Sequence, residues 1–112
     1  MAGDQWFGVR CLFRIELPPE VRDPAKYPGS VFEERITVWR AGSIDEAIER
    51  AEAEAEEYAE GGTEFLGYSQ AYKMYDGPGE GSEVFSLMRE SELASSDYID
   101  RFFDTGGERQ QG

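Results

Sequence analysis

Residues 31–62 read VFEERITVWRAGSIDEAIERAEAEAEEYAEGG, and the two halves of this stretch carry different periods. Phe32 to Ala41 alternates, with Ile36 and Val38 on one parity and Glu33, Arg35, Thr37 and Trp39 on the other. Period two in β-branched and aromatic residues is a strand signal. From Ser43 the period becomes 3.6, and Ile44, Ala47, Ile48, Ala51, Ala55, Tyr58 and Ala59 fall along one helical stripe. Ser43 with Glu46 three residues on forms a capping box, Asp45 and Glu46 suit the positive end of the helix dipole, and Gly61 with Gly62 supplies a left-handed stop. The spacing predicts a strand, a tight Ala-Gly turn and a helix over 43–60 whose Ala-lined middle lets it approach a sheet closely. On this parity Glu34 shares a side with Phe32, Ile36 and Val38, so an unbroken pleat aims its carboxylate toward the helix layer.

The rest of the chain supplies partners for this unit. Before it, Phe7, Val9, Cys11, Phe13, Ile15 and Leu17 alternate with Trp6, Gly8, Arg10, Leu12, Arg14 and Glu16, a long strand with one dry face. Pro18 and Pro19 end that strand, and Pro24, Pro28 and Gly29 mark a loop of about a dozen residues. After the helix, Thr63 to Tyr75 reads as a third strand with Leu66, Tyr68, Tyr72 and Met74 on one parity and a flat strip of Gly67, Ser69 and Ala71 on the other. Asp76 to Gly81 is a hairpin loop, not a phosphate cradle, because it lacks Lys and leads into no helix. Ser82 to Glu90 reads as a fourth strand carrying Val84, Phe85, Leu87 and Met88. Ser95 or Ser96 then caps a short helix on which Tyr98, Ile99, Phe102 and Phe103 cluster.

The expected architecture is α+β: a two-layer sandwich with a four-stranded, mostly antiparallel sheet in ββαββα order, the strands arranged 2-1-3-4 or 1-2-4-3. Residues 6–105 form a single domain, residues 1–5 a loose N-terminus and 106–112 a disordered tail.

At 112 residues the chain can bury one two-layer core. It has a net charge of −13, unevenly placed: residues 1–42 hold six acidic and six basic side chains, whereas 43–112 hold 18 acidic and five basic. With no basic stripe, nucleic acid and anionic membrane surfaces are not expected partners. There is no basic-then-apolar leader and no apolar run of about 20 residues, and a lone cysteine precludes an internal disulfide, so a cytoplasmic setting is expected.

At WFGVRCLF, FEERITVWRAGSIDEAIERAEAEAEEYA and the FLGY strand, the chain resembles the bacterial domain-of-unknown-function family 4288 over most of residues 6–90. The resemblance implies a small bacterial cytoplasmic protein. It supplies no activity, cofactor or catalytic residue.

The chemistry that the residues permit is narrow. No histidine is present, which removes the commonest general base, the commonest transition-metal ligand and the triads built on it. No catalytic residue, metal site or cofactor is expected. Cys11 reads as a small buried hydrophobe. Glu34 with Tyr68 or Tyr72 is the best candidate for a small-ligand or acid/base site, were a cleft to form. Helix residues Glu49, Glu52, Glu56 and Glu57 make an acidic face suited to a basic protein partner, as in an adaptor or immunity protein. The leading expectation is a protein-interaction domain that self-associates, or binds another protein, through the outer sheet face. There Trp6, Leu12 and Trp39 are expected beside Arg10, Arg14 and Arg35, a mix in which interface cores are enriched. Either the C-terminal helix or a second chain must hide that face, and a helix of about nine residues is too short to cover it all.

Overall fold

The structure, a computed structural model, describes residues 4–16, 20 and 30–107. Three strands, β1 (Gln5–Ile15), β2 (Val31–Ala41) and β3 (Thr63–Met74), form an antiparallel sheet in the order β2-β1-β3. Helix α1 (Ile44–Tyr58) lies across one face of it. A short helix, α2 (Ser95–Tyr98), runs on as a π-helical turn, Ile99–Phe103, near the C-terminus. Leu17, the expected loop through Pro24, Pro28 and Gly29, and the parts of the expected loose ends at 1–3 and 108–112 lie outside the described residues.

β1 is the middle strand because it is the most apolar. Phe7, Val9, Cys11 and Phe13 are buried toward α1, where Ala47, Ala51 and Ala55 come down on them. Without side chains beyond Cβ, those three alanines bring the helix backbone close to the sheet. Ser43 accepts from the Glu46 amide at 3.1 Å as N-cap, and the Glu46 carboxylate reaches back to the Gly42 amide at 3.0 Å, one residue earlier than a standard capping box. Past the C-cap residue Ala59, Gly61 takes φ 63 and turns the chain into β3.

The helix lies over the small strip of β3. Ala71 packs against the core, and the Ser69 hydroxyl donates to Glu52 at 2.7 Å. A bulge on β3 near Leu12 shifts the register between Cys11↔Ser69 and Phe13↔Phe65. Gly67, at φ 80, absorbs it. The shift leaves the facing of β3 unchanged but sets Phe65, in place of Gly67, opposite Phe13, with the two rings 5.5 Å apart.

The expected four-stranded ββαββα sandwich is not found: the sheet has three strands, so neither strand order containing a fourth is realised. Ser82 to Glu90 is extended coil. Its apolar residues sit at 84, 85, 87 and 88, a spacing that does not alternate and so offers no dry face to a sheet. The C-terminal helix also departs from expectation. Ala94 occupies its N-cap position without a side-chain hydrogen bond, Ser95 is already helical, and the turn packs on no strand.

The largest correction concerns β2. Its register with β1 pairs Phe7↔Trp39, Val9↔Thr37, Cys11↔Arg35 and Phe13↔Glu33, so the residues with odd numbers face α1. Phe32, Glu34, Ile36, Val38 and Arg40 lie on the outer face instead. The reason is the turn. Ala41 is buried, and only Gly42 and Ser43 separate it from the helix. A connection that short holds Ala41 on the helix side, and period two carries the choice back along the strand.

Candidate interaction face

Arg10 anchors the outer face of the sheet. From β1 it reaches Glu34 on β2 at 3.3 Å and donates to Gln70 on β3, while the Phe85 ring lies 5.1 Å from its guanidinium. Gln70 also accepts from the Tyr72 hydroxyl at 2.7 Å, and the Tyr72 and Phe85 rings meet edge to face at 4.6 Å. The coil after β3 is thereby fastened over the β1–β3 half. Gly77 lies against Trp6, and the Val84 carbonyl rests on Gly8, where a Cβ would stand 2.5 Å from that oxygen. A glycine in mid-strand is what lets a second backbone lie flat on a sheet.

The β2 half has no such cover among the described residues. Phe32 is 56% exposed, and Ile36 and Val38 are more than a third exposed. Beyond Phe85 the chain leaves the sheet with Leu87, Met88 and Phe103 open to solvent. This arm is tied mainly to itself: Arg89 lies 4.2 Å from the centre of the Phe102 ring and donates to the Tyr98 hydroxyl.

Six residues were expected together on this face, and the structure brings four of them there. Trp6, Arg10 and Leu12 are present, all partly buried, with Arg14 exposed beside them. Trp39 and Arg35 are on the other side, against α1. Trp39 donates from Nε1 to the Thr37 hydroxyl at 2.6 Å, with the Arg50 guanidinium 5.3 Å from its ring. Arg35 grips Glu54 through two hydrogen bonds, 2.6 and 2.9 Å long, and lies 3.8 Å over the Tyr58 ring. The outer apolar row of Phe32, Ile36 and Val38 was missed, although the buried parity of Ala41 was there to be read. Gly8 was the signal for the covering coil.

Glu34, Tyr68 and Tyr72 do not converge. Glu34 is exposed on the outer face, opposite Leu12, and does not point toward the helix. Tyr68 is 72% exposed at the bulge. Tyr72 is opposite Gly8, occupied with Gln70 and Phe85.

The acidic helix face is divided. Glu52 is bound by Ser69 and Glu54 by Arg35, both partly buried, whereas Glu49, Glu56 and Glu57 are exposed. Beneath them, burial pushes the Cys11 thiol above its ordinary value and the nearby Glu52 charge adds to the shift. The hydrogen bond from Tyr58 to Glu33, 2.8 Å long, holds the Tyr58 hydroxyl above the usual tyrosine value. Among the described residues no group of His, Cys, Asp and Glu is arranged to hold a metal, and no helix is long and apolar enough to cross a membrane.

No protein-family model, curated protein or solved structure matches the chain.

Proposed function

We propose that the chain is a protein-interaction domain that self-associates along the β2 side of its outer sheet face. The observation that carries this reading is the half-covered sheet. The coil from Gly77 to Phe85 protects β1 and β3 and leaves Phe32 more than half exposed and Ile36 and Val38 more than a third exposed beside it. An apolar row on an open sheet face is costly in water, and a second protein surface is the usual cover. Charge favours the same side. Arg10, Arg14 and Arg40 offset Glu34 and Glu64 on this face, while most of the excess acid of the chain lies elsewhere past residue 42. Two copies can therefore meet here without opposing their acidic helices. A bacterial cytoplasmic setting belongs to this proposal, supported by the family resemblance and by the free Cys11 thiol.

Sedimentation equilibrium tests it, with Ile36→Glu and Val38→Glu as variants and circular dichroism to confirm that each is folded. The expected result is a dimer for the parent chain and a shift toward monomer for both variants. A parent chain that stays monomeric across the accessible concentrations defeats the proposal.

A second reading rests on the exposed carboxylates of Glu49, Glu56 and Glu57, which carry no partner among the described residues and suit a basic protein. Reversing all three charges and comparing retention of bound protein at low and high salt tests it. Unchanged retention at low salt removes it.

A further inference from the structure

We infer that the self-association runs through the free edge of β2, joining a second copy edge to edge and extending the sheet to six strands in a register centred on Thr37, so that the outer rows of the two copies lie side by side. The inference rests on the self-association reading and goes further, naming the contact and its pairing.

The two edges of the sheet differ. The β3 edge is broken by the bulge at Gly67, a device that discourages strand addition. β2 runs unbroken through its 11 residues, with a continuous register against β1 and neither Gly nor Pro inside it. No described residue pairs with its outer edge. A long straight edge of this kind is a template for another strand.

Symmetry then limits the pairing. In an antiparallel pair related by a two-fold axis normal to the sheet, opposed residues share a face, so the axis must pass through a residue. Centring on Glu33, Glu34 or Arg35 sets like charges against each other. Centring on Ile36 overlaps the whole strand but places the Glu34 carboxylate against Val38 twice. Centring on Val38 places Ile36 against Arg40. Centring on Thr37 places Thr37 against Thr37, Ile36 against Val38 and Glu34 against Arg40, the last two pairs occurring twice, while Arg35, held by Glu54 and Tyr58, only neighbours Trp39. Hydroxyl pairs, apolar pairs and opposite charges are the combinations that stabilise neighbouring strands.

The flanks permit the approach. Edge pairing sets both α1 helices on one face of the joined sheet, and on the β2 side Glu54 is held by Arg35 while Arg50, beside Trp39, donates to the Arg40 carbonyl, which reduces the charge facing the seam. Arg40 keeps only a loose ion pair with Asp4, 3.9 Å apart, and is free to turn outward.

Single cysteines at positions 36, 37 and 38, treated with mild oxidant, report the register, because each crosslinks to itself only when the axis passes through it. Cys11 is buried and does not compete. Thr37→Cys is expected to give the covalent dimer, and Ile36→Cys and Val38→Cys are not. Because Thr37 also accepts from Trp39, a charge swap provides an independent check. Arg40→Glu should weaken the dimer about tenfold, and adding Glu34→Arg should recover most of the loss. Circular dichroism confirms folding of each variant. Crosslinking at 36 or 38 instead, or a charge swap without recovery, overturns this register. A parent dimer that crosslinks at none of the three positions overturns edge pairing and leaves self-association standing. A parent monomer ends both.

Discussion

Arg35 on β2 and Glu54 on α1 are joined by two parallel hydrogen bonds, 2.6 and 2.9 Å long, with both side chains about two-thirds shielded from solvent. The pair ties the helix to an edge strand whose own apolar residues face away from it. Removing one partner leaves the other charged and half-buried, so Glu54→Ala is expected to destabilise the fold by about 1 to 2 kcal/mol. Arg35→Lys should lose part of that, since an ammonium can neither bridge both oxygens nor stack on Tyr58. Urea unfolding of the two single variants and the double variant gives the coupling directly, and a coupling near zero contradicts the geometry.

Gly8 is the seat of the covering coil. In Gly8→Ala the added methyl meets the Val84 carbonyl at 2.5 Å, and the coil is easier to displace than the sheet. The expected outcome is release of residues 82–90, seen as faster proteolytic cleavage there, with sheet stability changed by less than about 1 kcal/mol because few core contacts involve the coil. Slower cleavage, or none, would show that the coil does not rest on this residue.

Ala51 is fully buried and Ala53 exposed on the same helix. Ala51→Leu should cost about 1 to 3 kcal/mol, because the helix must lift from the buried face of the sheet to admit the larger side chain. Ala53→Leu should stay within about 0.5 kcal/mol. Thermal unfolding of the two variants separates close packing from helix propensity, and equal effects would refute the close approach of α1.

Alkaline pH should weaken the fold by way of Cys11. Its thiol titrates above 9.0 when folded and near that value when unfolded, so the unfolded chain loses its proton first. Its contribution is complete below about pH 9, where both states are protonated, and is lost as pH rises through the folded value. Tyr58 adds a loss of the same sign at higher pH, since its hydroxyl is also held above the ordinary value of 10.0. Urea unfolding between pH 7 and 10.5 should show a steeper decline for the parent chain than for Cys11→Ala. Parallel slopes would mean that the thiol is not the group responsible.

The helix and the three strands are legible in the sequence because each depends on signals within a few residues: the Ser43 cap, the Ala stripe, and the alternation of β1. Which way β2 faces depends on competition between its own hydrophobicity and the two-residue turn after Ala41, and the turn prevails. Ile36 and Val38 look like core residues only if the strand is read in isolation. The fourth strand fails for a different reason. Val84, Phe85, Leu87 and Met88 are apolar enough for a strand but spaced for none, and Gly8 offers them a resting place without pairing. Trp39 and Arg35 were assigned to the outer face through the same parity error. Trp6, Arg10 and Leu12 were placed correctly because β1 has one unambiguous dry side.

The turn at Gly42 and Ser43 has an evolutionary consequence. Lengthening or shortening it by one residue, with α1 held in place and β2 still paired to β1, would turn the strand over and present Glu33, Arg35, Thr37 and Trp39 outward in place of Phe32, Ile36 and Val38. One inserted or deleted codon would then replace a largely apolar outer row with a largely polar one while every strand residue stayed the same, so that the character of the exposed sheet face is set by turn length as much as by strand composition.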